Sequence, residues 1–168
     1  MAVALIIILL VNQLAFLCLQ QSIPNPTALT PTRYTAPIKF DPNRNSLDDL
    51  SASIEAAKRT KRNVLIEVGG EWCEWCHILD DFYAKNPDLI ALRDKYYVLM
   101  KADVSENHSN SKFLSLFPQI DGFPHLFVLD TNGKLVHSED TSELEDGESY
   151  SVGRFKKFLE KYAPENQR

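Results

Sequence analysis

The chain has 168 residues, 44% of them hydrophobic and 24% charged, the balance of a soluble globular protein and enough length for one ordinary domain plus a leader. Its 23 Asp and Glu outnumber 18 Lys and Arg, for a net charge of −5, which argues against a nucleic-acid partner because phosphate binding needs a basic face. Three cysteines are too few for the disulfide framework that staples small secreted domains.

Residues 1–22 contain no charged side chain, and Ala2 to Val11 is almost purely aliphatic. This run reads as a signal peptide or an uncleaved membrane anchor, and so as export. No Lys or Arg precedes it and no small-x-small cleavage site follows it. Cys18 lies inside it, but Leu17 stands where a lipoprotein signal needs a small residue. Residues 23–45 follow as a Pro-rich linker carrying Pro24, Pro26, Pro31, Pro37 and Pro42, and the folded domain is expected over 46–168. Ile38-Lys39-Phe40 is a candidate edge strand at the junction.

Ser46 to Thr60 fits a helix capped by Asn45 or Ser46, with Leu47, Leu50, Ile54 and Ala57 on one stripe. Asn63 to Val68 reads as a buried strand. Cys73 to Lys85 is the next helix, interrupted at Asn86-Pro87 because a residue before proline avoids the helical region. Pro87 suits the first turn of a second piece through Asp94. A strand over Tyr96 to Val104, a short helix over Ser111 to Phe117 and a strand over Pro124 to Leu129 come next. Asp130-Thr131-Asn132-Gly133 reads as a hairpin turn into a partner strand, Lys134 to His137. Glu139 to Ser149 reads as an acidic, solvated loop, and Ser151 to Tyr162 as a closing helix. Alternating elements first and a hairpin last imply an α/β fold, a central mixed sheet with helices on both faces.

Chemistry concentrates at Glu71-Trp72-Cys73-Glu74-Trp75-Cys76-His77. Two cysteines two residues apart, just past a strand and at a helix start, make a redox site. A thiolate at Cys73 sits against unpaired backbone N–H groups and the positive end of the helix dipole, which lowers a cysteine pKa. Cys76, one turn on, can attack a disulfide formed at Cys73. Glu74 opposes thiolate formation while the helix end favours it; if Glu74 prevails, the thiol stays nearer its free pKa and the protein is more reductant-like than a strong oxidant. His77 can stabilise a thiolate or be a plain surface histidine.

These residues resemble the thioredoxin superfamily. Trp72-Cys73-Glu74-Trp75-Cys76 follows a strand, Glu67 stands six residues before Cys73 where the family carries a buried acid, Gly122-Phe123-Pro124 matches the family's cis-proline, and the element order agrees from Leu47 to Tyr162. Within the superfamily the stretch from Cys76 to Val104 is similar to periplasmic thioredoxin-like domains such as the C-terminal domain of the thiol:disulfide interchange protein. The resemblance implies a thiol–disulfide oxidoreductase acting on protein substrates outside the cytoplasm. Cys73 is then the exposed nucleophile, Cys76 the resolving cysteine and Glu67 the proton-transfer group raised by burial. Phe123 and cis-Pro124 shape a substrate groove by β-addition; Trp72 covers the site, and Trp75 either forms part of an exposed apolar docking face or packs into the core. No cofactor is implied; electrons come from an upstream dithiol donor, with a membrane-bound one among the candidates. The Glu-Trp pair between the cysteines is not the Gly-Pro of common thioredoxin, so potential and substrate do not carry over.

Three rival readings stay open. Cys73, Cys76 and His125 could form a copper or zinc site. Cys-x-x-Cys-His is also the c-type haem signature, with His108, His125 or His137 as further ligand, though a strand before the cysteines disfavours it. A non-catalytic module could use the same fold to hold clients.

Overall fold

The computed structural model describes residues 39–104 and 110–164, all within one unit of the chain, Arg33–Arg168. The leader, most of the Pro-rich linker and His108 lie outside the described residues. Helix α1 spans Ser46–Thr60, with the Asn45 side chain accepting from the Leu47 amide at 3.0 Å as N-cap and Lys61 at φ 59° closing its end. Strand β1 is Asn63–Gly69 and helix α2 is Glu74–Lys85. Helix α3 spans Pro87–Tyr96 and strand β2 Tyr97–Asp103. Asn86 breaks the chain between α2 and α3 at φ −127° and ψ 72°, and Pro87 occupies the first turn of α3, the steric outcome of an X-Pro step. A short α4, Ser111–Leu114, precedes β3, His125–Leu129, and β4, Leu135–Asp140. Helix α5, Val152–Lys161, closes the described chain.

The main sheet has the order β2-β1-β3-β4. Strand β1 is parallel to β2 and antiparallel to β3, and β3 is antiparallel to β4. The hairpin between β3 and β4 turns at Gly133, whose φ of +85° glycine adopts without steric cost.

Alternation along the strands sorts side chains onto two faces. Leu65, Leu126 and Val128 join Leu79, Phe82, Leu89, Phe155 and Leu159 in a cluster under α2, α3 and α5. Val64, Ile66, Val68, Met100 and Phe127 join Leu50, Ala57 and Phe113 in a second cluster under α1 and α4. Helices therefore cover both faces, and β1, paired on both sides, is buried along its length.

Two expectations fail locally. Residues 39 and 40 form no strand. Glu139 to Ser149 is not a plain solvated loop: it holds the end of β4, a 3₁₀ turn at Thr141–Leu144 and a miniature hairpin of β5, Glu145–Asp146, and β6, Ser149–Tyr150. Thr141, Leu144 and Tyr150 are buried beneath its acidic surface, so the charges coat an ordered segment instead of marking a free one.

Phe155 is fully buried, its ring 5.1 Å from Phe82 and 5.3 Å from Tyr150. Phe155→Ala is expected to lower unfolding free energy by about 3–5 kcal/mol. Leu116→Ala, at a 59% exposed position, should change it by less than about 0.5 kcal/mol. Urea titration of both variants checks the pair.

Candidate active site

Glu67 lies in the middle of β1, on the face that carries Leu65 and meets α2. It is 1% exposed. An isolated carboxylate there would be severely desolvated. The parallel register sets Lys101 of β2 directly beside it, with the ammonium 3.2 Å from the Glu67 carboxylate. Asp80 reaches the same ammonium from α2 with both oxygens, at 2.6 and 2.7 Å. Asp80 follows Cys76 by four residues, so the two share one helix face. Lys101 is buried, while the Asp80 side chain is 40% exposed, which joins the cluster to water. Burial pushes the Glu67 pKa up to about 7, against the opposing pull of Lys101.

The Cys73–Cys76 disulfide sits at the start of α2, with Cα atoms 5.2 Å apart. Cys73 is the N-cap: its sulfur accepts from the Cys76 amide at 3.2 Å and its carbonyl from the same amide at 3.1 Å. That placement puts Cys73 at the positive end of α2. Both cysteines are covered, Cys73 4% exposed and Cys76 1%. Cys73, expected as the exposed sulfur, is thus only slightly the more open of the two. The cover is apolar: Phe40, Trp75 and Phe123 pack on the pair.

Gly69, the last residue of β1, explains how Cys76 can seat so deeply. A Cβ there would lie 2.4 Å from the Cys76 sulfur and 3.1 Å from the Phe40 ring. Only glycine leaves the space that both side chains use.

The Phe123–Pro124 peptide bond is cis. Trp72, 54% exposed, meets the Phe123 ring edge-on at 5.3 Å. The Thr141 hydroxyl donates to the Pro124 carbonyl at 2.6 Å. Tyr150 donates to the Trp75 carbonyl at 3.4 Å, and its ring meets the Trp75 ring at 5.6 Å. Trp75, expected in part as an exposed docking surface, is half-buried and ties the disulfide to the core. The segment after β4 therefore braces both the proline loop and the start of α2.

The histidines do not converge on the cysteines. The His125 ring bonds Ser138 at 2.8 Å and packs on Phe127 at 4.8 Å, on the face opposite Glu67, and burial holds its pKa down. Its strand parity matches Phe127, not Glu67, which removes it from the Cys/Cys/His set. No group of three His, Cys, Asp or Glu able to hold a metal ion occurs among the described residues. His137 stacks on Tyr162 at 4.1 Å. The His77 ring bonds the Glu71 carbonyl at 2.8 Å and braces the approach to the cysteines. Both sulfurs that a haem attachment needs are engaged with each other.

Lys101, Asp80 and Phe40 belong to this site and sequence reasoning passed over all three. The signals were a lysine inside the apolar run Tyr97 to Ala102, an acid four residues after Cys76, and a phenylalanine among linker prolines.

A profile of the thioredoxin-like family matches residues 45–131. The thiol:disulfide interchange protein DsbD of Vibrio vulnificus is 28% identical over 102 residues, which are 61% of this chain and 17% of that protein. The chain thus spans less than a fifth of the length of the curated relatives it matches. Among solved structures, the disulphide isomerase from Xylella fastidiosa Temecula1 is 26% identical with a TM-score of 0.64, covering 76% of this chain and 96% of that one. A thioredoxin from Thermus thermophilus, 18% identical with a TM-score of 0.52 over 66% of this chain and 81% of its own, shares the fold. The architecture is the thioredoxin fold, a mixed sheet flanked by helices on both faces.

Because its folded pKa of about 7 exceeds the ordinary value of 4.5, Glu67 binds its proton more tightly in the native state. Its contribution to stability is full below about pH 4.5 and is lost as pH rises through about 7, on the order of 3 kcal/mol. Glu67→Gln should flatten that decline, seen by urea unfolding at about pH 5 and about pH 8. Gly69→Ala should destabilise the oxidised protein by about 1–3 kcal/mol through overpacking against Cys76, measured the same way.

Proposed function

The chain belongs to the thioredoxin-like family, and on that premise we propose that it is a thiol–disulfide oxidoreductase that exchanges its Cys73–Cys76 couple with protein substrates outside the cytoplasm, chiefly as a reductase. The observation that carries the reading is a Cys-x-x-Cys pair at the N-terminus of α2, the helix whose Asp80 shares the Lys101 ammonium with the buried Glu67, a carboxyl group poised near neutral pH. A group with a pKa near the working pH is suited to accept and return a proton.

In the reducing direction the Cys73 thiolate attacks one sulfur of a substrate disulfide, and the other substrate sulfur leaves as a thiolate. The product is a mixed disulfide at Cys73. Glu67 as carboxylate takes the Cys76 proton, and the Cys76 thiolate attacks the Cys73 sulfur. The substrate's second sulfur leaves, so two electrons pass from the dithiol to the substrate and the Cys73–Cys76 disulfide forms. Lys101 holds the Glu67 carboxylate during this cycle, and half-exposed Asp80 connects the pair to solvent. An upstream dithiol returns two electrons to the couple; no cofactor takes part.

Trp72, Trp75, Phe123 and Pro124 frame the substrate groove. Phe123 offers its backbone to an incoming extended segment, and the edge-on contact of Trp72 and Phe123 supplies an apolar wall. The folded domain is 46–168 with Phe40 added to it from the linker. Residues 1–22 act as signal or anchor, and the electron donor is met on the far side of that membrane. Relatives named for thiol:disulfide interchange and disulphide isomerase chemistry support the reaction class.

Cys76→Ser should accumulate a mixed disulfide with a substrate protein that dithiothreitol releases, and Cys73→Ser should accumulate none. Non-reducing gels with mass spectrometry read the result. Binding that survives Cys73→Ser but is lost on changing Pro124 would favour a client-holding module instead. Glu67→Gln should slow dithiol-driven insulin reduction about a hundredfold at neutral pH. In the wild type the resolving step should speed up as pH rises through about 7, because Glu67 acts as base once deprotonated.

A further inference from the structure

Phe40 comes from outside the regular elements, yet its ring is 5% exposed and packs against Cys73 and Cys76. The turn that follows it fixes its place. The Arg44 amide bonds the Asp41 carbonyl at 3.1 Å and the Asn43 amide the Asp41 side chain at 2.9 Å. Asp41 and Pro42 stand at the first two positions, where such turns favour them. Arg44 then pairs with Asp49 of α1 through its Nε at 2.7 Å. The chain before α1 is thus pinned to the domain, with Phe40 directed at the disulfide.

The ring does two things there. It occupies the space beside Gly69, where a Cβ would meet it at 3.1 Å and the Cys76 sulfur at 2.4 Å. It also lies under the Lys101 ammonium, which sits 4.5 Å from the ring centroid. A cation over an aromatic face is attracted to it, more strongly when water is excluded. One side chain therefore touches both the sulfur pair and the charge cluster.

We propose that Phe40 is a positioning residue of the redox site: it seals the inner side of the disulfide and the adjoining Glu67–Lys101 pair from water. This rests on the oxidoreductase reading for its purpose, though not for its geometry. The groups that face Glu67 are Lys101 from β2, Asp80 and Tyr83 from α2, Arg93 from α3 and Tyr150 from β6. Burial is the largest influence on Glu67. Opening the seal therefore lowers its pKa towards the ordinary carboxylate range. Lys101 does not swing away to reverse that sign, because Asp80 still grips it with two bonds.

The test is a carbon-13 titration of the Glu67 carboxyl in oxidised wild type, Phe40→Ala, Phe40→Leu and Leu50→Ala. Leu50 lies in the cluster on the opposite face of the sheet and controls for general loss of stability. Phe40→Ala should lower the midpoint by about one pH unit. Phe40→Leu, which keeps apolar volume, should hold it within about 0.3, and Leu50→Ala should leave it unmoved. A midpoint unchanged or raised in Phe40→Ala, or lowered equally in Leu50→Ala, overturns the proposal. The titration needs no turnover. Failure of the oxidoreductase reading would appear separately, as wild-type protein that exchanges no disulfide.

Discussion

A carboxylate and an ammonium buried side by side in the centre of a sheet are costly to desolvate, and breaking one partner away leaves the other uncompensated. Glu67 and Lys101 are held in that arrangement by the parallel register of β1 and β2. Asp80 supplies the second counter-charge from the helix above. The cluster constrains its surroundings. Helix α2 must lie over β1 at the height where Asp80 meets Lys101, and that same placement sets Cys76 four residues earlier on the helix against the end of β1.

Close approach then dictates residue choice. Helix α2 can bring Cys76 down on β1 only because Gly69 has no side chain, and the space left over is filled from a distant part of the chain by Phe40. On the other side, Thr141 and Tyr150 hold the proline loop and the Trp75 backbone. The sulfur pair is thus held between a dry inner wall and a braced outer rim, with Trp72 as the exposed aromatic at the edge. In the proposed chemistry, the dry wall keeps Glu67 near neutrality and the rim presents an extended substrate segment to Cys73.

Much of this was legible in the residues because the signals are local. The apolar run ending in Val68, the cysteine spacing at a helix start, the Asn86-Pro87 break and the Asp130 to Gly133 turn all act within a few residues, and each lies within a residue of where the pattern puts it. The partners of Glu67 were not legible, since a lysine on one strand and an acid on a helix meet only once register and helix docking are known. Phe40 was hidden by its prolines, which mark a linker by composition while Pro42 in fact builds the turn that pins it. The acidic stretch after β4 misled because its charges cover Thr141 and Leu144, whose burial depends on packing against the sheet. His125 looked like a third ligand beside the cysteines, but strand parity turns it towards Phe127.

Whether Cys73 and Cys76 form a working dithiol–disulfide couple is read by equilibrating protein lacking residues 1–22 with defined glutathione or dithiothreitol buffers. A fully reversible two-electron transition is expected, on the reducing side and nearer roughly −270 mV than roughly −120 mV, as suits a reductase fed by an upstream dithiol. Absence of any reversible two-electron transition would contradict the oxidoreductase reading.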